Sequence, residues 1–397
     1  MKQMKIFSTL FAIVSGLLRS NQRDMIHLKN EGEFKGNVLL SYITDPFGYS
    51  SSDEIPTTHT NGWECYQMAH LWSKHGYAID IIDWDNSTFT PEKHYSFFID
   101  IHCNMERLVP LLNRDCYMIL HITGSHWLFQ NSAEYHRLLD IQGRRKATLI
   151  PRRTVPPSFG IEFADCATIL GNEATISTFQ YAGKSLCQIP ITATMTFPEI
   201  PEKDYAQCRN NYLWLGNSGM VHKGLDLVLE AFSSMPDHHL YVCGQVDTES
   251  DFCGEYQKEL YHTANIHTLG WLDVSSLEFL SIIRTCIGLI YPSCSEGQSG
   301  SVVQSLHAGL IPVISYQSGV TVDGFGIILN QCSIDEIREA VSSLSSLPVE
   351  RLQEMAKRSW EYANKYHTRE NFSNEYEKFL VGLISGKNRG IDSISKT

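Results

Sequence analysis

Residues 292–315 combine residue types that suit binding of a sugar and a phosphate. The apolar run at residues 287–291 predicts a buried strand directly before them. Glu296 can hydrogen-bond a sugar hydroxyl, and a helix predicted to start near residues 299–301 offers free N–H groups and a favourable dipole to phosphate. The candidate binding residues in this stretch are Glu296, Gly297, Ser299, Gly300, Ser301 and Gln304.

A second candidate element lies upstream, where Lys223 and Gly224 open a predicted helix. Residues 212–216 predict a strand, and residues 217–222 predict the loop between them. Each short motif alone is typical of a surface turn. Both follow strands of one α/β run, however, and roughly 75 residues separate them, as a nucleotide crevice spanning several strands requires. Gly216, Lys223 and Gly224 are therefore candidate residues for binding a diphosphate.

These two elements resemble the donor site of the retaining GT-B glycosyltransferases of the glycogen-synthase-like group, family 4 or glycosyl transferases group 1. The resemblance implies that Glu296 contacts the donor sugar and that Lys223 neutralises the nucleotide diphosphate. The sequence departs from the family pattern at two positions. Gln304 replaces the second glutamate, which holds the ribose, and Ser218 replaces an arginine of the diphosphate clamp.

The resemblance implies an α/β protein of the GT-B type, in which two Rossmann-like domains face a central crevice and a C-terminal helix crosses back to the first domain. Apolar runs predict first-half strands near residues 38–43, 78–83, 97–101 and 117–121. The predicted segments are an N-terminal amphipathic segment at 1–30, an acceptor domain at 31–195, a link at 196–210, a nucleotide-sugar donor domain at 211–360, terminal helices at 361–385 and a tail at 386–397.

The first half also carries candidate site residues. His121 ends a predicted parallel strand, and polar groups at the carboxyl ends of such strands face the crevice. The resemblance implies a histidine near the sugar, so His121 is a candidate catalytic residue together with Glu296, and His126 is the second choice. The alternative is a structural histidine near a turn. Gly62, in a predicted loop after the first strand, and Asn172, at the end of a late strand, are further candidates.

Four arginines flank a predicted loop in the first half. They suit binding of an anionic acceptor such as a lipid-linked phosphate, and a solvated basic patch is the alternative. The four are Arg144, Arg145, Arg152 and Arg153.

Composition excludes several classes of function. The 397 residues carry a formal net charge of −12, which argues against general nucleic-acid binding. Eleven cysteines without a CxxC pair suit a reducing cytoplasm. We expect no metal site and no cofactor beyond a nucleotide-diphosphate sugar as co-substrate.

The N-terminal residues show apolar side chains at helical spacing after two lysines. Residues 4–19 suit an interfacial helix on a membrane surface, a helix docked on protein, or a signal peptide without a convincing cleavage site. We therefore expect a cytoplasmic protein, with peripheral attachment to the inner face of the membrane as one alternative.

The predicted activity is transfer of a sugar, of the hexosyltransferase type, from a nucleotide-diphosphate sugar to a glycan or lipid-linked acceptor in polysaccharide or glycoconjugate biosynthesis. The resemblance implies retention of anomeric configuration. One rival is a non-catalytic GT-B protein that binds a nucleotide-sugar or a partner, since Gln304 and Ser218 both depart from the pattern. A nucleotide-sugar epimerase is the other rival, which the Lys223 and Glu296 motifs disfavour.

Overall fold

The computed structural model describes residues 25–56 and 59–386. The predicted interfacial helix at residues 4–19 and all but the first residue of the predicted tail lie outside the described residues. The strands are β1 Ile26–Leu28, β2 Gly36–Tyr42, β3 Tyr77–Asp83, β4 Phe97–Asp100, β5 Tyr117–Ile122, β6 Cys166–Ile169, β7 Ser185–Gln188, β8 Asn211–Leu215, β9 His239–Cys243, β10 Ile266–Gly270, β11 Gly288–Tyr291, β12 Ile311–Ser315 and β13 Ile327–Leu329.

Helices alternate with most of these strands. They are α1 Thr60–Lys74, α2 Asn104–Leu108, α3 Trp127–Arg145, α4 Gly160–Phe163, α5 Glu173–Ser177, α6 Tyr205–Cys208, α7 Leu225–Ser233, α8 Ser250–Glu255, α9 Gln257–His262, α10 Leu277–Thr285, α11 Gly300–His307, α12 Ile334–Ser346, α13 Val349–Tyr366 and α14 Arg369–Ile384. The chain divides into two compact units: one ends at Leu120, and the other begins at His121.

The first unit contains a parallel sheet with one antiparallel edge. Its strands are ordered β1-β3-β2-β4-β5, and only β1 runs antiparallel to its neighbour. Strands β3 and β4 are buried almost throughout, which is why they are near-continuous apolar runs in the sequence. The strands predicted in this half are confirmed to within two residues at each end.

The second unit contains a six-stranded parallel sheet in the order β10-β9-β8-β11-β12-β13. The strand order runs outward in opposite directions from the central pair, β8 and β11, which lie side by side. Such a reversal is a topological switch point, and ligands of α/β sheets bind beyond the carboxyl ends of the two strands there. The predicted strands that precede Lys223 and Glu296 are β8 and β11, so the fold puts both motifs at the switch point.

Helix α3 packs against the domain that contains the six-stranded sheet. Ile141 is fully buried in the same apolar core as residues of β8 and α7. At the end of α3, Arg144 pairs with Asp226 at 2.7 Å and Arg145 pairs with Glu259 at 2.8 Å. The prediction of a solvated basic patch is therefore wrong for these two arginines, because each meets an acidic side chain across the helix interface.

One local prediction needs correction. Gly62 lies in the first turn of α1, which begins at Thr60, and not in a loop. The segment predicted to hold terminal helices, residues 361–385, covers the end of α13 and all of α14. Helix α13 ends at Tyr366 and α14 starts anew after Thr368, whose side chain accepts a hydrogen bond from the Asn371 N–H as an N-cap.

Candidate active site

The loops that follow β8 and β11 interlock. Gly224 has φ +72, and a Cβ at this position would lie 2.6 Å from the carbonyl oxygen of Pro292, so glycine is required on both counts. The Cys294 N–H donates to the His222 carbonyl at 2.9 Å. These contacts hold the lysine-bearing loop against the glutamate-bearing loop.

Lys223, Glu296 and Tyr291 form the centre of the site. The Lys223 ammonium lies 2.8 Å from a Glu296 carboxylate oxygen and donates to the Tyr291 hydroxyl at 3.0 Å. The Tyr291 hydroxyl donates in turn to Glu296 at 2.9 Å, and the Ser293 hydroxyl donates to the same oxygen at 3.1 Å. Two residues from separate strand–helix junctions thus meet in one hydrogen-bonded cluster.

The charges of this cluster are strongly coupled. Burial alone would raise the pKa of Glu296, but the positive charges of Lys223, His222 and Arg153 outweigh it and lower the pKa to about 2. Burial likewise opposes the charged form of Lys223, and the Glu296 carboxylate raises the pKa of the ammonium above its usual value. Both groups are therefore ionised across the physiological pH range.

A second buried ion pair supports the first. The Nδ1 atom of His222 lies 2.6 Å from a Glu134 carboxylate oxygen, and its Nε2 atom lies 2.5 Å from the Ser295 carbonyl. Both partners only accept hydrogen bonds, so both ring nitrogens donate and the ring is an imidazolium. Burial opposes this charge, but hydrogen bonds to Cys294 and Glu134 and the charge of Glu296 raise the pKa of His222 to about 9.

The backbone of the glutamate-bearing loop is held from several sides. The Ser125 hydroxyl donates to the Glu296 carbonyl at 2.9 Å, and the Thr175 hydroxyl donates to the Gly297 carbonyl at 3.2 Å. A Cβ at position 297 would lie 2.2 Å from the Thr123 carbonyl oxygen. Glycine at position 297 is thus explained by a close backbone approach.

Gly319 lies against the backbone of the glutamate-bearing loop. It has φ +76, and a Cβ there would lie 1.5 Å from the Gly297 carbonyl oxygen. We expect Gly319→Ala to lower the free energy of unfolding by about 3 kcal/mol or more, because positive φ and a backbone clash add together. Urea unfolding measures the difference.

Gly183→Ala is the matched control for this prediction. Gly183 has φ +61, but a Cβ added there would meet no heavy atom within 4 Å, so the variant measures the cost of positive φ alone. That cost is about 1 kcal/mol. If both variants lose the same free energy of unfolding, the close approach of position 319 to the Gly297 carbonyl does not contribute.

Helix α11 begins beside the cluster as the sequence predicts. Ser299 is its N-cap, and its hydroxyl accepts from the Val302 N–H. The N–H groups of Gly300 and Ser301 lie in the first turn, where a helix provides no internal partners. Gly216 follows β8, where its N–H donates to the Cys243 carbonyl at 3.0 Å and a Cβ would meet the Trp214 ring at 2.5 Å.

Gln304 makes reciprocal hydrogen bonds inside the protein. Its side-chain oxygen accepts from the Thr194 hydroxyl at 2.8 Å and from the Met195 N–H at 3.0 Å, and its amide nitrogen donates to the Met195 carbonyl at 2.9 Å. An amide can accept and donate at the same time, whereas an ionised carboxylate can only accept. The departure from glutamate at this position therefore has a structural reason, namely attachment of the segment around residue 195 to α11.

This arrangement predicts that Gln304→Glu destabilises the fold. A carboxylate would face the Met195 carbonyl, so we expect the free energy of unfolding to fall by about 2 kcal/mol at neutral pH. Gln298→Glu is the control, since the Gln298 oxygen accepts from the Ile191 N–H at 2.8 Å, as a carboxylate oxygen also could. Unfolding in urea compares the two variants, and an equal effect in both would contradict the explanation.

The first-half candidates have mainly structural contacts. The Nδ1 atom of His121 lies 2.7 Å from the Thr168 hydroxyl, and complete burial lowers the pKa of His121 to about 4. His126 is the N-cap of α3 and contacts the Tyr181 hydroxyl at 3.0 Å. Asn172 is the N-cap of α5 and donates to the Tyr316 carbonyl at 2.9 Å. These hydrogen bonds do not lead to the Lys223 cluster.

Sequence reasoning missed the supporting residues Glu134, His222 and Tyr291. The sequence places Tyr291 only in a buried strand and His222 only in a loop. Glu134 lies in α3, far along the chain from both. No local pattern marks these residues, because their roles depend on contacts between distant segments.

The described part of the chain contains neither a metal-binding cluster nor a membrane-spanning helix. Within residues 25–56 and 59–386, no group of three or more His, Cys, Asp or Glu side chains is arranged to hold a metal ion. None of the helices in those two ranges has both the length and the apolar character needed to cross a membrane.

Comparison with known proteins identifies the fold. No protein-family model matches the sequence, and none of the curated proteins is significantly similar to it. Among solved structures, the chain is similar to the sucrose-phosphate synthase of Thermosynechococcus elongatus, with a TM-score of 0.62 and 11% identity over 89% of this chain and 100% of that one. HepE of Anabaena, solved in complex with UDP-glucose, gives a TM-score of 0.55 and 9% identity over 88% and 100%.

TarM of S. aureus, solved with fondaparinux, α-GlcNAc-glycerol and UDP, gives a TM-score of 0.51 and 11% identity over 72% of this chain. This chain spans 55% of TarM's length. All three neighbours are GT-B glycosyltransferases. The chain has the GT-B fold. In this GT-B chain the Lys223 and Glu296 loops follow the central strands of the second sheet.

Proposed function

We propose that the protein is a retaining glycosyltransferase of the family 4 type that transfers a sugar, of the hexosyl class, from a nucleotide-diphosphate sugar. One observation carries the proposal: Lys223 and Glu296 meet at 2.8 Å beyond the carboxyl ends of the adjacent central strands. That position is where α/β sheets bind nucleotides. The proposed acceptor is a glycan or a lipid-linked acceptor, in polysaccharide or glycoconjugate assembly.

The proposed mechanism is electrostatic stabilisation of the departing diphosphate. An ammonium has three N–H donors, and Glu296 and Tyr291 accept from two of those of Lys223. The third is available to a phosphoryl oxygen, together with first-turn amides of Gly300 and Ser301. Charge that develops on the leaving group would be stabilised by these donors, which are fixed before the reaction begins. Glu296 would orient the donor sugar.

The second candidate function is a non-catalytic protein that binds a nucleotide-sugar. The observation in its favour is that the Gln304 amide already bonds Thr194 and Met195, so it is not available to hold a ribose as the family glutamate does. Such a protein would bind the nucleotide diphosphate through Lys223 without turning it over. The two candidates therefore differ in turnover and not in binding.

Binding and turnover are tested in sequence. Thermal unfolding is recorded with UDP, GDP, ADP and their sugar derivatives, where a ligand at a hundred times its Kd should add about 2.7 kcal/mol. Release of the nucleoside diphosphate from the stabilising sugar nucleotide is then followed over hours, with and without glycan acceptors. NMR of any product shows its anomeric configuration.

The outcomes separate the candidates. Stabilisation with nucleotide release supports the transferase, and retained configuration supports the family 4 type. Stabilisation without release by any sugar nucleotide supports the binding protein. No stabilisation by any of the nucleotides contradicts both.

We also propose, from the sequence pattern alone, that residues 4–19 attach the protein to the inner face of the membrane. Apolar side chains at helical spacing after Lys2 and Lys5 support this. Sedimentation with vesicles of phosphatidylglycerol tests it: the wild type should sediment and a Leu10→Asp, Phe11→Asp variant should not. If the wild-type protein stays in the supernatant, the proposed membrane attachment is wrong.

A further inference from the structure

The diphosphate site has an uncharged residue where the family pattern has an arginine. Position 218 holds serine, which has no positive charge to offer a phosphate. The structure places another arginine near this loop. Arg153 lies in the segment after α3. The Gln130 side chain donates to the Arg153 carbonyl at 2.6 Å, and the Arg153 backbone N–H donates to Glu134 at 3.3 Å. Its backbone is therefore anchored on the same glutamate that holds His222.

The Arg153 side chain lies against the loop that leads to Lys223. A Cβ at position 219 would lie 2.5 Å from Arg153 Cγ and 2.9 Å from Cδ, and Gly219 has φ +90. The glycine next to Ser218 thus leaves room for the arginine stem. The guanidinium is close enough to the cluster that its charge lowers the pKa of Glu296 and opposes the protonation of Lys223.

Arg153 differs from its neighbours because no carboxylate of the described residues lies within ion-pair distance of its guanidinium. Arg144, Arg145 and Arg152 are all paired with carboxylates. The Nε atom of Arg153 is buried and donates to no acceptor within residues 25–56 and 59–386. Buried donors are nearly always satisfied, so an unsatisfied Nε–H beside the Lys223 ammonium favours a bound anion.

We propose that Arg153 is the second cation of the diphosphate site, and that it replaces from another segment the arginine that position 218 lacks. This inference rests on the proposed donor site above. The ligand class is a nucleoside diphosphate, whose phosphoryl oxygens match the planar fork of a guanidinium. Lys223 and Arg153 then both contact the diphosphate, each from its own segment of the chain.

The test uses inorganic pyrophosphate, UDP, GDP and ADP as probes in isothermal titration calorimetry on the full chain. Arg153→Gln should weaken binding of each probe roughly 10- to 100-fold, as expected for loss of a charge-assisted contact. Arg152→Gln is the matched control, because Arg152 pairs with Asp251 and should leave binding unchanged within about twofold. Ser218→Arg in the Arg153→Gln background should restore at least half of the lost affinity on a logarithmic scale.

The outcomes distinguish this inference from the proposed function. If the wild type binds none of the four probes, the inference and the proposed donor site are both overturned. If the wild type binds and Arg153→Gln binds equally well, the inference alone is overturned. If Arg152→Gln weakens binding as much as Arg153→Gln, the effect is one of general charge and Arg153 is not the second cation. Rescue by Ser218→Arg is a readout that loss of folding could not produce.

Discussion

Replacing Lys223 by Met is expected to lower kcat/KM for the sugar nucleotide by about 10²- to 10³-fold, because in the proposed mechanism the leaving diphosphate loses one of its fixed cations. The same change should lower the free energy of unfolding by about 3–5 kcal/mol, since it leaves the Glu296 carboxylate largely buried without its ion pair. Steady-state kinetics and urea unfolding at neutral pH measure the two effects.

A double variant separates the two effects. Lys223→Met with Glu296→Gln removes both charges, so much of the lost stability should return while activity stays lost. If the double variant is no more stable than Lys223→Met alone, the ion pair is not the reason for the instability. Near-normal turnover in Lys223→Met would remove Lys223 from the mechanism.

The Glu134–His222 pair should make stability depend on pH above neutrality. The pKa of His222 is raised from 6.5 to about 9 in the folded chain, so the pair's contribution is fully present below pH 6.5 and is lost as the pH rises through 9. The contribution is about 3 kcal/mol, since each pKa unit corresponds to about 1.36 kcal/mol. Urea unfolding at intervals from about pH 6 to about pH 10 measures the decline.

Glu134→Gln is the reference variant for this measurement. Its oxygen can still accept from the N–H groups of Arg152 and Arg153, and its amide can donate to a neutral His222. The buried amine of Lys203, whose pKa burial lowers to about 8, changes stability in the opposite direction over the same range. Lys203 is present in both proteins, so its effect cancels when the free energy of unfolding of the variant is subtracted from that of the wild type. If this difference does not vary with pH, His222 is not charged in the folded chain.

The elements of this protein were largely predictable because their signals are local. Buried parallel strands are apolar runs, and Gly224 and Gly309 mark helix boundaries whose backbone has positive φ. The order of strand, loop and helix around Lys223 and around Glu296 also followed from neighbouring residues. Gly62 was wrongly placed in a loop, because α1 already begins at Thr60.

The site itself depended on contacts between segments far apart in sequence. Glu134 and Arg153 reach the lysine-bearing loop only because α3 packs on the domain of the six-stranded sheet, and nothing in the local pattern of α3 indicates which face does so. Gln304 resembled a weakened ribose ligand in the sequence. In the structure its side chain forms hydrogen bonds with the segment around residue 195, a contact that the sequence did not indicate.

The sequence by itself determined the α/β class, the strands and the two motif-bearing loops, because periodicity, glycine positions and helix caps act over a few residues. Only the tertiary structure decided that β8 and β11 are neighbours, that Lys223 and Glu296 form an ion pair, and that Glu134, His222 and Arg153 surround them. The physical reason is that charge pairing and desolvation depend on distance in space, and distance along the chain says little about it.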